Sequence, residues 1–306
     1  PLAQAGDAQG WLADFDDPRL EALVDRALAR NYDLRVASAR MAQAGANIGV
    51  NRADALPQID GESNASRQRS VQQLGGPFGN QTFTDYSDRY NLNLGFAWEV
   101  DLWGRLRDRT SAAIGRFEAA RADYAGARLS LAANTARAYY NAVESRAQMD
   151  LARETAESFA DTQALIEDRF DQGLSPALDV RLARANTEDA RAALRERERL
   201  HEQAVRALEV LLGDYPANAR ETAPELPELN KALPAGVPSA LLARRPDLVA
   251  AERRLAASGK DVWAARKALL PRLSLTGSGG TASNELEDLL DTDFKVWDIA
   301  GRLVAP

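Results

Sequence analysis

The single histidine of the chain, His201, stands among Glu198, Arg199 and Glu202, where an imidazole beside carboxylates could act as a metal ligand or a general base. A metal site needs further ligands at matched spacing, and none follows, so a solvated histidine on a charged helix is the plainer reading. Cysteine is absent. Its absence removes thiolate nucleophiles, disulfide frameworks and Cys-type zinc sites together, and suits any compartment in which stray thiols are a liability. No nucleophile elbow, phosphate loop or dinucleotide fingerprint occurs, and the scattered Asp/Glu pairs on helical stretches suit salt bridges better than acid–base catalysis. The residues thus offer no catalytic set, no metal ligands and no cofactor site. The chain reads as a protein that is not an enzyme.

What remains is architecture. The 306 residues are 45% hydrophobic, enough for an ordered protein of about two domains. Charged residues make up 27% with a net charge of -7, without the basic stripe that attracts phosphate backbones, so nucleic acid is not an expected partner. No apolar run is long enough for a spanning helix, and Pro1 to Gly10 lack the charged and apolar regions of a signal peptide. Any signal peptide is expected to have been removed.

Helical signal dominates. Asp17-Pro18 opens a short amphipathic stretch ending near Asn31, and a second helix is expected from Asp33 to Asp54, where Leu56-Pro57 stops it. A helical pattern then holds from about Leu106 to Phe170, roughly 97 Å at 1.5 Å per residue, so long that it must lean on partners. Gly173 sits where a left-handed C-terminal cap belongs, Ser175 where an N-cap belongs and Pro176 at the first helical position, together predicting a tight reversal. The return helix runs to about Leu212 with a stripe of Val180, Ala183, Thr187, Ala190, Leu194, Ala204, Leu208 and Leu211, which by itself suits an antiparallel coiled-coil spacer. Prolines at 216, 224, 227, 234 and 238 mark an extended linker. Short and longer helices follow, near Ser239 to Arg244 and from Pro246 to Ala268.

The chain repeats itself. At an offset of 214 residues, Asp33, Leu34, Ala37, Arg40, Ala42, Gly45, Arg52, Leu56 and Pro57 recur as Asp247, Leu248, Ala251, Arg254, Ala256, Gly259, Arg266, Leu270 and Pro271, far above chance for ordinary composition. Each copy is a helix, a Leu-Pro stop and strand-like sequence: Arg272 to Thr276 follows the second stop, and Val296 to Val304 is its expected partner. By the same offset Pro306 corresponds to Leu92, so the second copy is expected to be incomplete and to lack a second helical hairpin. The helices at 33–54 and 176–212, laid end to end, nearly match the long helix they would flank. That expectation puts the strands beyond one end of a rod and the Gly173 reversal at the other.

Tyr90, Leu92, Leu94, Phe96, Trp98 and Val100 alternate strictly with Asn91, Asn93, Gly95, Ala97 and Glu99. One face suits an apolar medium and the other a watery lumen, the pattern of a transmembrane barrel strand, although a sandwich strand in a soluble domain also alternates. Ile59 to Gln68 is polar and alternates weakly, and Leu74 to Asn80 reads as a loop, so residues 58–100 form an expected hairpin in which Ile59 to Ser70 is the first strand. Four strands cannot close a barrel and an open edge in lipid is forbidden, so subunits would have to pool strands.

Three stretches carry a family resemblance: Trp98-Glu-Val-Asp-Leu-Trp-Gly-Arg-Leu-Arg107, Arg169-Phe-Asp-Gln-Gly-Leu-Ser-Pro-Ala-Leu-Asp-Val180, and Arg244-Arg-Pro-Asp-Leu248 leading to Leu270-Pro-Arg-Leu-Ser-Leu-Thr276. The chain resembles the TolC superfamily of outer-membrane factors, in the NodT or OprM-like branch, over nearly its whole length. The resemblance implies a mainly α fold with a small β part: a long α-helical hairpin forming a periplasmic tunnel, and β-hairpins giving four strands per chain to a homotrimeric twelve-stranded outer-membrane β-barrel. It implies a passive efflux duct for small molecules in a Gram-negative bacterium, coupled to an inner-membrane RND-type transporter through a periplasmic adaptor, with outer-membrane lipid around the barrel.

Under that resemblance the chain divides into N-terminal equatorial helices with the first repeat helix (1–57), a first barrel hairpin (58–104), a helical hairpin (105–213), a Pro-rich equatorial linker (214–245), the second repeat helix (246–271) and an incomplete second barrel hairpin (272–306). The adaptor-contact tip is assigned to Arg169, Gly173, Leu174, Ser175, Asp179 and Val180, although plain capping and helix-end charge also account for Arg169 and Asp179. Relatives usually begin with a lipid-bearing cysteine, which this sequence lacks, and gate residues would lie in the missing hairpin. The competing reading is a soluble periplasmic coiled-coil scaffold or the adaptor itself, which also carries a long helical hairpin but should flank it with glycine-rich β-domains.

Overall fold

The computed structural model describes residues 10–76, 79–223, 225–227 and 244–305. In chain order these form α1 (Pro18–Arg30), α2 (Tyr32–Ala53), β1 (Gln58–Gly76), β2 (Gly79–Val100), α3 (Arg105–Asp171), α4 (Ala177–Leu211), α5 (Pro246–Lys267), β3 (Arg272–Ser283) and β4 (Lys295–Val304), with a short 3-10 turn at Leu12–Phe15 and two more between β3 and β4. The fold is mainly α with one open antiparallel sheet in the order β1-β2-β3-β4. The expected helix near Ser239 lies outside the described residues, as do Pro77, Phe78 and much of the Pro-rich linker. Among the described residues no helix is long and apolar enough to cross a membrane.

The internal repeat survives as geometry. Helices α2 and α5 each have 22 residues, and their bounds differ by the same 214 that relates the sequences, as do the first residues of β1 and β3. Each helix ends three residues before the leucine of a Leu-Pro pair, whose proline cannot donate a backbone hydrogen bond and whose preceding residue is driven to extended conformations.

Two compact units divide the chain: residues 1–41 with 120–250, and residues 42–119 with 251–306. In the first, α1 is opened by Asp17, whose carboxylate accepts from the N–H groups of Arg19 and Leu20 at 2.9 and 3.2 Å. Its apolar stripe, Leu20, Val24 and Ala27, packs with Leu34, Leu131, Tyr139, Val143, Leu208 and Leu212 into a buried core. Asp214 anchors the corner after α4 by pairing with Arg26 at 2.6 Å and Arg220 at 2.7 Å, and the Arg26 hydrogen bond chiefly holds its carboxyl below the usual range. Gly213 has φ +73° there, and a Cβ would stand 2.8 Å from the Arg30 carbonyl oxygen.

Helices α3 and α4 form the expected antiparallel pair. Val180, Ala183, Thr187, Ala204 and Leu208 of the α4 stripe are buried, whereas Ala190, Leu194 and Leu211 are half-buried. Thr187 donates to the Phe159 carbonyl at 3.2 Å and Arg184 meets Glu167 at 2.7 Å. His201 is not the freely solvated residue expected: it is half-buried, with Nδ1 3.1 Å from Ser145 Oγ on α3.

In the second unit, the first turns of α3 run between α2 and α5. Thr110 donates to the Asn51 carbonyl on one side. On the other, a Cβ at Gly115 would stand 3.1 Å from the Ala257 methyl, an approach that glycine permits. Asp101 opens α3 by accepting from the N–H groups of Leu106 and Arg107, both at 3.0 Å. Burial works to raise its pKa, but those two bonds and the Arg107 guanidinium hold it below the usual carboxylate value.

Candidate functional site

Two regions hold the residues singled out from sequence, one in each unit. In the sheet, register sorts every side chain, because directly opposed residues of an antiparallel pair point to the same face. Phe96 stands opposite Ile59 and Gly277, Leu94 opposite Gly61 and Gly279, Leu92 opposite Ser63 and Thr281, and Tyr90 opposite Ala65 and Ser283. Trp98 and Val100 stand opposite Leu275 and Leu273, and β4 continues the same face with Trp297, Ile299 and Leu303. The six residues Tyr90, Leu92, Leu94, Phe96, Trp98 and Val100 therefore belong to a broad apolar face that spans all four strands.

The opposite face is built from Asp60, Glu62 and Asn64 of β1, Asn91, Asn93 and Glu99 of β2, Ser274, Thr276 and Ser278 of β3, and Asp298 and Arg302 of β4. Ser278 and Asp298 are hydrogen-bonded across it. The apolar face lies open, with Ile59 and Trp297 76% exposed, Ile299 72% and Leu94 63%. Glycines next to the largest side chains let them lie flat, since a Cβ at Gly277 would run into the Phe96 ring. Tyr90, Trp98 and Val100 are half-buried, and Trp98 donates from Nε1 to the Ala55 carbonyl at 3.0 Å.

The strands run further than the alternation suggested. The sequence reads Leu74 to Asn80 as a loop, yet Leu74, Gly75 and Gly76 pair with Gln81, Asn80 and Gly79, so the pairing continues to residue 76. Strand β2 accordingly starts at Gly79, eleven residues before Tyr90.

Where the sheet meets the helices, a charged cluster emerged that the sequence did not reveal. Asp108, nearly buried, meets Lys267 at 2.5 Å and Lys260 at 3.2 Å. The hydrogen bond from Lys267, aided by Lys260, holds the Asp108 carboxyl below its usual value against burial. Glu99 and Arg105 pair at 2.7 Å beside it, and Trp103 donates to the Pro271 carbonyl at 2.8 Å. The only sequence signal is the seven-residue spacing of the two lysines, which puts them on one helix face.

At the helical reversal, Gly173 has φ +77° and its N–H donates to Phe170, while Leu174 N–H reaches back to Arg169, both at 2.8 Å. That is the Schellman closure, and it satisfies two of the carbonyls a helix end leaves open. The start of α4 differs from expectation: Pro176, not Ser175, is the N-cap, with no side-chain cap bond. Proline lacks an N–H and needs no partner in either position, which is why the boundary slips by one residue. Arg169, Leu174 and Asp179 are exposed, Ser175 is half-exposed, and Val180 is buried against α3. A Cβ at Gly173 would meet nothing within 4 Å, so its requirement is conformational alone. Among the described residues no group of three His, Asp or Glu could hold a metal ion.

Comparison with known proteins agrees with this arrangement. The family model described as outer membrane efflux protein matches residues 23–214 and 237–298. The toluene efflux pump outer membrane protein TtgI of Pseudomonas putida is 33% identical over 293 residues, covering 95% of this chain and 62% of the relative. Outer membrane protein OprJ of Pseudomonas aeruginosa is 35% identical over 303 residues, covering 98% and 62%. Among solved structures, the Campylobacter jejuni CmeC outer membrane channel superposes with TM-score 0.88 at 32% identity over 97% of this chain and 63% of that one. The open state of the Neisseria gonorrhoeae MtrE outer membrane channel gives 0.78 at 32% identity over 94% and 63%. The chain thus spans about three fifths of the length of the curated relatives it matches. With the repeat, the long helical pair and the two-faced sheet all present, the chain belongs to the outer membrane efflux protein family.

Proposed function

We propose that this chain is a subunit of an outer-membrane efflux duct: a passive channel, without chemistry of its own, that carries small molecules out of a Gram-negative cell. The apolar face of the sheet carries the reading. From Val100 to Tyr90 it runs ten residue steps, about 34 Å along the strand, and a tilt of about 40° reduces this to about 26 Å of height. Barrels embedded in an outer membrane present an apolar band of about 25 Å. The opposite face, rich in Asn, Ser, Thr and carboxylates, suits water in a lumen.

A sheet with β1 and β4 as free edges needs neighbours, because unpaired backbone groups in hydrocarbon cost several kcal/mol each. Three copies supply about twelve strands and close a barrel of ordinary size. Helices α3 and α4 then form periplasmic wall, the segments at 1–57 and 214–245 an equatorial girdle, and the reversal at Arg169, Gly173, Leu174, Ser175, Asp179 and Val180 the contact for a periplasmic adaptor leading to an inner-membrane pump. The toluene efflux pump name of the Pseudomonas putida relative supports the export of small organic molecules as the task. A soluble scaffold would have no use for an open apolar face of this height. Fractionation tests the choice: the complete protein sediments with outer membranes and leaves them only in detergent, whereas a soluble scaffold is released by salt. Replacing Gly173 with a bulky residue abolishes pump-dependent resistance while trimers persist; unchanged resistance removes the tip from the adaptor contact.

A further inference from the structure

The two ends of the apolar band are unlike. At the end near the helices its strand residues are Val100, Leu273 and Leu303, with no charge on that face. Past Tyr90, towards the β1–β2 turn, the same face continues with Arg67 opposite Asp88 and Arg69 opposite Tyr86. The Arg67 guanidinium lies 5.7 Å from the centre of the exposed Tyr86 ring and 3.4 Å from Asp88, with 71% of its side chain accessible. Arg69 is exposed as well. The two arginines stand two residues apart on one strand face, so their Cα atoms are roughly 7 Å from each other.

We propose that Arg67 and Arg69 form a binding rim for phosphate-bearing lipid headgroups in the leaflet on the turn side of the sheet. The inference rests on the membrane reading above and adds a chemical asymmetry to it. An arginine at the end of an apolar band stands at headgroup depth, where its aliphatic stem follows the acyl region and its head meets the polar layer. The planar fork of a guanidinium matches two phosphate oxygens at once, which an ammonium does not. Tyr86 holds Arg67 from below by its ring face, the arrangement that limits the side chain's freedom before a ligand arrives. Asp88 competes for Arg67 as an internal acceptor, so the site is tuned below its full strength. The helix-side end, uncharged on this face, has no equivalent.

The test titrates the purified protein in uncharged detergent with phosphatidic acid, and separately with phosphatidylcholine, reading retained lipid by native mass spectrometry. Each basic residue near an anionic headgroup contributes about fivefold, so the Arg67→Ala/Arg69→Ala variant should retain phosphatidic acid about 25-fold less tightly while phosphatidylcholine is unchanged. Arg67→Lys/Arg69→Lys should recover part of the loss, and Asp88→Asn should bind about twofold more tightly than the parent. Equal retention of phosphatidic acid by all variants overturns the inference, as does displacement of the lipid by excess inorganic phosphate, which would mark a free-anion site. Retention of neither lipid by the parent protein overturns the membrane reading and this inference with it. Retention of phosphatidylcholine alone overturns only this one.

Discussion

The helical core and the sheet treat the same kinds of side chain in opposite ways. Around α1, residues such as Leu20 and Val24 are wholly enclosed, whereas on the sheet Ile59, Trp297 and Ile299 are each more than two-thirds exposed. A core leucine contributes stability by leaving water within its own chain. Ile59, Leu94, Trp297 and Ile299 have no such enclosure within the subunit. On the proposed reading, the contrast separates the part of the molecule that folds on its own account from the part built for another medium.

The largest effect expected on the helical side is Leu20→Ala, which should cost about 3–5 kcal/mol in denaturant unfolding, while the corresponding Leu94→Ala in detergent should cost little. Equal costs at both positions would erase the contrast. Leu94→Arg sharpens it from the other direction: near the middle of the band it should weaken insertion into lipid vesicles by about 2–4 kcal/mol, measured by refolding from urea, with the helical signal intact. Two glycines make a smaller comparison. Gly213→Ala combines a left-handed φ with a clash against Arg30 and should cost about 2–3 kcal/mol, against about 1 kcal/mol for Gly173→Ala in open space, both read as shifts of the unfolding midpoint.

The smallest effect is the pH dependence carried by Asp108. Its folded pKa is depressed by Lys267 and Lys260, so the stabilisation is present above the unfolded value of about 4 and is lost as pH falls through the lower folded value. The parent protein should therefore exceed Asp108→Asn in stability at neutral pH, and the gap should shrink below about pH 4. A gap that stays constant into acid would place the stabilisation elsewhere.

Much of this was legible in the residues. The repeat, the two Leu-Pro stops and the Gly173 closure are local signals, and the apolar face followed from a strict alternation at Tyr90 to Val100. The outer reaches of β1 and β2 were not. Beyond Tyr90 the hairpin runs past the apolar band, so on the proposed reading Arg67 to Gln73 and Thr82 to Arg89 have no hydrocarbon to impose an alternation, although their backbones pair to the end. His201 was misjudged because Ser145 lies 56 residues away in the chain and meets it only once α3 and α4 pair. Asp108 and its lysines, more than 150 residues apart, are hidden for the same reason.

The central claim is that the two faces of one strand meet different media. Because these 306 residues contain no cysteine, single cysteines can be placed in turn at positions 91, 92, 93, 94, 96 and 97 of the membrane-embedded protein and challenged with a charged, lipid-insoluble maleimide. The account predicts alternation: protection at Leu92, Leu94 and Phe96, and labelling at Asn91, Asn93 and Ala97 through the water-filled interior. Uniform labelling of all six, or protection on the asparagine side, would contradict it.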